Sequence, residues 1–343
     1  MNAMKVHAPV LAVDVGYGNT KVAFRNGSDV STFMFPSLTP PYKAHTIAKE
    51  SAGLITTPKT IAVEVEGKRY QVGPGVLLSS RNGDAGATLN DDYCTTSSYA
   101  ALLAGAFHFA NIASVDRLVL GLPMRNFHTH VAHLRSAFAG KNAYGEVDFD
   151  VGSVIVLPQP LGALVNFSRY HEFDKEDPHL IIDVGYFTTD WVVATGLTID
   201  EERSGGHHSG ASHYYEAIAA VIKEKLHIDT QGIERIDKAL RTGSTLLLNG
   251  TDYDLREFLP GAQMVIDAAV KAIQAGVKNT VDIRSIVLTG GAAALYKSEI
   301  QTRFPHLRID HMADPCFTNV KGFLAAGEAT MLRDKKRKEG VPA

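Results

Sequence analysis

Cysteine is nearly missing from this chain: two in 343 residues, Cys94 and Cys316, far apart and in no CxxC pair. That composition argues against a disulfide framework or a thiolate zinc site and fits a reducing, cytoplasmic compartment. An excess of one charge is missing too. Lys and Arg number 34 against 37 Asp and Glu, a net charge of −3. Non-specific attachment to a nucleic-acid backbone needs a concentrated cationic surface, so no direct DNA binding is expected. The one basic run, Lys335-Lys336-Arg337-Lys338, reads as a solvated tail. No apolar run approaches the roughly 18–20 residues that cross a bilayer, so no membrane association is expected. The apolar stretch near the start contains Asp14 and lacks the core of a signal peptide.

What is present is ordinary globular composition, 45% apolar and 21% charged, in a length that suits about two domains. Self-alignment shows how they are related. VDVGYGNTKVAF (residues 13–24) matches IDVGYFTTDWVV (residues 182–193) at a constant offset of 169 residues, about half the chain. Each copy is a β-branched run, an Asp, a Gly and a short polar stretch, followed at once by a second β-rich run. That pattern predicts a β-hairpin with glycine at its turn. Gly16 and Gly18 permit positive φ and let backbone N–H groups converge on an anion. The Asp ending each first strand can hold a hydrated divalent cation, and Lys21 can reach back to phosphate oxygens as a point charge. One such hairpin is commonplace architecture. Two in register imply a phosphate clamp.

Period and punctuation predict an α/β chain with mixed sheets. Domain I is expected over 1–165, with a small inserted subdomain at 30–92, plus a C-terminal helix at 319–343. Domain II is expected over 166–318, with an insertion at about 204–258. Residues 79–92 read as a polar loop. Helices are expected near 95–112, 126–139, 161–171, 211–226, 231–241, 260–277, 292–303 and 319–333. Strands are expected near 118–120, 147–157, 197–203 and 285–289, with a short hairpin within 244–259.

Four further strings carry chemistry or packing. IVLTGGAAALYKSEI (286–300) puts Gly290, Gly291 and Ala292 between a strand and a helix, leaving room for a flat ring or a ribose against bare backbone. Tight strand–helix packing uses the same pair. VLPQPLGALVNF (156–167) holds Gln159 between two prolines, so its amide emerges at a fixed angle and can orient a water without a shifted pKa; a plain surface Gln fits as well. In NVKGFLAAGEAT (319–330), small residues allow a close helix crossing, at a hinge or in simple packing. SGGHHSGASHYY (204–215) offers His207, His208 and His213, but adjacent His207 and His208 diverge, so the stretch reads as a flexible loop rather than a metal site.

With DVGYGNTK, PQPLGAL, DVGYFTTD, VLTGGAAALY and NVKGFLAAGEA in this order, the chain resembles the actin-like ATPase superfamily, in its phosphate-one, connect-one, phosphate-two, adenosine and connect-two motifs. Within it, the chain looks most like the ParM/StbA group of plasmid-segregation actins, including the protein D component of PRTRC-type systems. The resemblance implies an actin-like, duplicated ribonuclease H-like fold with two domains around a nucleotide cleft. It implies ATP and Mg²⁺ as ligands. Asp14 and Asp183 would be the metal-side carboxylates, acting through water. Gly16, Tyr17, Gly18, Asn19 and Lys21 would surround the phosphates, and Gly185, Phe187 and Thr188 would line the opposite hairpin. Gly290, Gly291 and Ala292 would pack against adenosine, with Glu234 and Lys238 near ribose or base. Gln159 stands where actins carry a water-orienting Gln and ParM a Glu, and with Asp14 and Asp183 completes the catalytic set. Tyr17 and Tyr186 are bulkier than the residues common in those turns, and either narrow the phosphate site or point out of it.

The function implied is ATP binding and hydrolysis coupled to head-to-tail filament assembly, in plasmid DNA segregation through a DNA-binding adaptor. Two other readings are a small-molecule kinase, for which Asp190 is the nearest candidate base, and a nucleotide-gated binding module with little hydrolysis.

Overall fold

The structure is a computed structural model describing residues 6–43, 58–76, 91–170, 175–230 and 232–340. The chain forms two compact units. One comprises Met1–Leu122, Asn126–Asn166 and Asn319–Ala343, the other Pro123–Arg125 and Phe167–Thr318.

In the first unit β1 (Val6–Val15), β2 (Asn19–Asn26) and β3 (Asp29–Pro36) form an antiparallel meander. A separate hairpin, β4 (Ile61–Val65) and β5 (Lys68–Val72), follows. Next come α1 (Ser97–Ala110), β6 (Ile112–Leu122), α2 (Phe127–Ala137), β7 (Gly140–Tyr144), β8 (Val147–Val151), β9 (Val154–Pro158) and α3 (Gln159–Tyr170). The sheet runs β3-β2-β1-β6-β8-β7, with β9 also on β6. Val10 to Val15 are buried without a break, as suits a central strand whose two neighbours are β2 and parallel β6. α1 forms because an Ala/Leu-rich run starts at Thr96, whose hydroxyl accepts Tyr99 N–H, and ends at Asn111 in the left-handed region.

The second unit repeats the plan. β10 (Pro178–Val184), β11 (Thr189–Thr195) and β12 (Thr198–His207) form a second meander. α4 (Ala211–Leu226), α5 (Glu234–Thr242), the hairpin of β13 (Leu246–Leu248) and β14 (Thr251–Tyr253), and α6 (Leu259–Val277) follow. β15 (Ser285–Thr289), α7 (Ala293–Arg303) and β16 (Arg308–His311) complete a sheet of order β12-β11-β10-β15-β16. β15 runs parallel to β10, as β6 does to β1. Both halves are therefore a three-strand meander extended by parallel strands, the duplicated α/β arrangement that the sequence repeat implies. The chain ends in α8 (Thr318–Lys338), which belongs almost wholly to the first unit.

Several expectations need correction. The segment from residue 30 opens not with an insertion but with β3, because the Gly27-Ser28 turn returns an alternating strand onto β2. Residues 204–207 likewise extend β12 instead of forming a loop. In the segment up to residue 258, Ile218, Ile236, Leu246 and Phe258 share one cluster with Ile182 and Leu288 of the sheet. Strands β7 and β16 are additional. The basic run is the last turn of α8, where cations face the negative end of the helix dipole, and not a tail. Of the expected polar loop, residues 79–90 lie outside the described residues. The small residues of α8 serve close packing: a Cβ at Gly322 would lie 1.7 Å from the carbonyl oxygen of Gly162 in α3.

Candidate functional site

Asp14, one residue before the end of β1, has only 1% of its surface exposed, which without partners would be a costly place for a charge. Two partners compensate. Lys21, its cross-strand neighbour on β2, donates from Nζ to Oδ2 at 2.9 Å. Gln159, the first residue of α3, donates from Nε2 to Oδ1 at 2.7 Å. A hairpin, and a helix start 145 residues away in sequence, thus converge on one carboxylate because β9 pairs β6 and β6 pairs β1. The turn between is tight. A Cβ on Gly16 would meet the Asn19 carbonyl oxygen at 3.1 Å and Lys21 Nζ at 3.9 Å. Gly16 and Gly18 are not among the glycines with positive φ, so Gly16 serves this turn by the room it leaves rather than by handedness. Tyr17 turns into the unit and stacks on Tyr93 with ring centroids 4.8 Å apart. Thr20 fixes the base of the turn by a 2.9 Å hydroxyl contact with Ser37.

The second hairpin has the same turn with different side chains. A Cβ on Gly185 would meet the Thr188 carbonyl oxygen at 3.0 Å, and Gly185 N–H donates to that oxygen at 2.9 Å. Thr189, the repeat partner of Thr20, donates its hydroxyl to the Ser209 carbonyl. The start of α4 clasps the turn: Gly210, Ala211 and Ser212 donate N–H groups to the carbonyls of Phe187, Gly185 and Tyr186. Tyr186 packs against the core of its unit, and buried Phe187 lies against the rings of His208 and His213. Neither tyrosine therefore simply fills its turn.

Asp183 stands one residue before the end of β10, 6% exposed. Its register partner on β15 is Thr289, which leads into Gly290 at φ +96°, a backbone conformation suited to glycine. A Cβ there would lie 2.5 Å from Asp183 Oδ1, so the glycine turn and the aspartate touch. Ala292 N–H donates to the Val184 carbonyl, closing the junction. Phosphate-two and adenosine strings, a hundred residues apart in sequence, are thus contiguous within the second unit.

The halves match known protein families. Residues 12–162 match the model described as "Actin like proteins N terminal domain", and residues 181–302 match "Archaeal actin homologue MreB-like, C-terminal". Each half of the chain is thus similar to an actin-like family. Among solved structures it is similar to Ta0583, an archaeal actin homolog, with TM-score 0.75 and 19% identity over 94% of this chain and 99% of that one. The complex of Ta0583 with ADP gives TM-score 0.73 at 19% identity and the same coverage. A ParM in a 15-stranded filament from Clostridium botulinum gives 0.72 and 18% identity, over 94% of this chain and all of that one. No curated protein matches the chain in sequence. The fold is the actin-like two-domain α/β fold.

On this actin-like frame the remaining candidates are less closely joined. Lys238 is exposed and Glu234 half-buried on α5, whose Asp237 accepts the Tyr215 hydroxyl at 2.9 Å. Among the described residues no group of three or more His, Cys, Asp or Glu side chains could hold a metal ion. Also among them, no helix is long and apolar enough to cross a membrane. Sequence reasoning missed the role of Asp190 in the second hairpin. It is 2% exposed and accepts from the Thr188 hydroxyl at 2.7 Å and from Met124 N–H at 3.1 Å. Burial pushes its carboxyl up to about 7; hydrogen bonds, Thr188 foremost, oppose this, and the charge of Asp183 adds to it. The signal was in the repeat, since Asp190 stands at the place of Lys21.

Proposed function

We propose that this actin-like protein binds ATP with a hydrated Mg²⁺, hydrolyses it, and assembles head to tail into filaments that segregate plasmid DNA through a DNA-binding adaptor. The observation that carries the reading is the convergence of Lys21 and Gln159 on buried Asp14. Two motifs distant in sequence, the first hairpin and the start of α3, meet at one carboxylate, next to a turn with no side chain at Gly16. The donor set suits Mg²⁺, which keeps most of its waters and takes one or two carboxylates plus phosphate oxygens, rather than a metal needing a protein cage. Asp14 and Asp183 would hold that ion through water, and it would neutralise phosphate charge. Both hairpins are proposed to bind the same triphosphate. Gly16, Tyr17, Gly18, Asn19 and Lys21 would serve it from the first, and Gly185, Phe187 and Thr188 from the second. Gly290, Gly291 and Ala292 would take the adenosine, with Glu234 and Lys238 at its edge.

Gln159 is neutral and can both donate to and accept from a water, so it would orient the nucleophile without serving as a base. The ADP complex of Ta0583 and the ParM filament, both of like fold, support the nucleotide and assembly parts of the reading. For a kinase, Asp190 is poorly placed as a base: its oxygens already accept from Thr188 and Met124. ATP turnover and sedimentation, each followed against protein concentration with and without ATP, test the proposal. Turnover and pelletable protein should rise together above a threshold concentration, and Gln159→Ala should slow turnover while leaving ATP binding in place. Turnover that responds only to an added sugar or acid acceptor would refute it.

A further inference from the structure

The two hairpins differ in one charge. In the first, the residue seven positions after the aspartate is Lys21, a cation; in the second it is Asp190. A second phosphate cradle therefore lacks the positive charge of the first unless another segment supplies it. Asp190 itself shows which segment that is. Its carboxylate accepts backbone N–H groups from Met124 and Arg125, holding the three-residue stretch Pro123–Arg125 against the second unit. Space is kept for that stretch: a Cβ on Gly206 of β12 would lie 2.5 Å from Asp190 Oδ1 and 3.5 Å from Arg125 Cβ. The Arg125 side chain is exposed. It lies near His207, whose imidazole is held below its ordinary value by burial first, then by the charges of His208, Arg125 and His213.

We infer that Arg125, fixed by Asp190, is the phosphate-binding cation of the second hairpin, taking the terminal phosphate of a bound nucleoside triphosphate. Asp190 then acts as a positioning residue. It replaces the lysine of the first hairpin not with a charge of its own but with a backbone anchor for an arginine. Arginine suits that task, since its planar fork can make two parallel hydrogen bonds to phosphate oxygens.

The inference rests on the proposed nucleotide binding, and the test separates the two. Isothermal titration with Mg²⁺–AMP-PNP and Mg²⁺–ADP compares the full-length wild type with Arg125→Gln and Arg125→Lys, with circular dichroism and Trp191 fluorescence checking the fold. Loss of one charge-assisted contact should weaken AMP-PNP binding to Arg125→Gln by about tenfold or more. ADP affinity should change by less than about twofold, and Arg125→Lys should recover part of the loss. If the wild type binds both nucleotides and Arg125→Gln keeps the same ratio of affinities, or loses both equally, the arginine assignment is overturned while nucleotide binding stands. If the wild type binds neither, both fall.

Discussion

Asp183 and Asp190 are cross-strand partners in the second hairpin, at the places where the first hairpin pairs Asp14 with Lys21. The duplicated backbone thus carries an ion pair in one copy and two carboxyl groups in the other. In the first, Lys21 offsets the desolvation of Asp14 through a 2.9 Å contact. In the second, burial and like charge are answered only in part by hydrogen bonds to Asp190, and the carboxyl stays near neutrality in its titration.

That shift links stability to pH. The Asp190 carboxyl, ordinarily near 3.8, titrates at about 7 in the fold. The folded state therefore keeps a proton that the unfolded chain has already lost between those values. The resulting stabilisation is complete below about 3.8, declines as pH rises, and is gone above about 7, on the order of a few kcal/mol in total. Urea midpoints read by Trp191 fluorescence in the nucleotide-free protein check this. Relative to Asp190→Asn, the wild type should lose stability from pH 5 to pH 8; a constant difference would contradict it.

Asp14→Ala removes the acceptor of both Lys21 and Gln159, and should abolish Mg²⁺-dependent nucleotide binding. Asp183→Ala should slow ATP hydrolysis more than it weakens binding. Titration with and without Mg²⁺, alongside phosphate release, measures both. Normal affinity in Asp14→Ala, or the reverse ranking for Asp183→Ala, would count against these roles.

The two cysteines provide a built-in probe. Burial raises the Cys94 thiol to about 11, which keeps it protonated and slow. Cys316 is half-exposed, with its sulfur 3.8 Å from where a Cβ on Gly291 would sit. Alkylation followed by mass spectrometry should modify Cys316 first, and saturating ATP or ADP should slow it several-fold. Equal rates with and without nucleotide would place the adenosine elsewhere.

Gly322→Ala would drive a methyl into the Gly162 carbonyl, a backbone atom that cannot rotate away. A loss of about 3 kcal/mol, the upper end for overpacking, is expected in urea unfolding. A neutral result would mean that α3 and α8 cross less closely.

Much of this was legible in the sequence because it lay in local pattern. The repeat fixed both hairpins, and alternation with punctuation placed α4 and β15 on their observed residues. The resemblance pointed to Gln159. What escaped depends on pairing across distance. β3 and β16 are recognised as sheet members only by their neighbours. That Ile218 and Phe258 share one cluster with the sheet is visible only in three dimensions. The stacking of Tyr17 on Tyr93 joins residues with no common motif. Asp190 was read as a base candidate for its type, whereas its buried place makes it an anchor for Met124 and Arg125.

The most direct measurement is a crystal structure of the full chain with Mg²⁺ and AMP-PNP. Backbone N–H groups of Gly16–Asn19 and of Gly185–Thr188 should both lie within hydrogen-bond distance of one triphosphate, with the adenosine on Gly290-Gly291. A nucleotide that touches a single hairpin, or binds away from both, would contradict the proposed function.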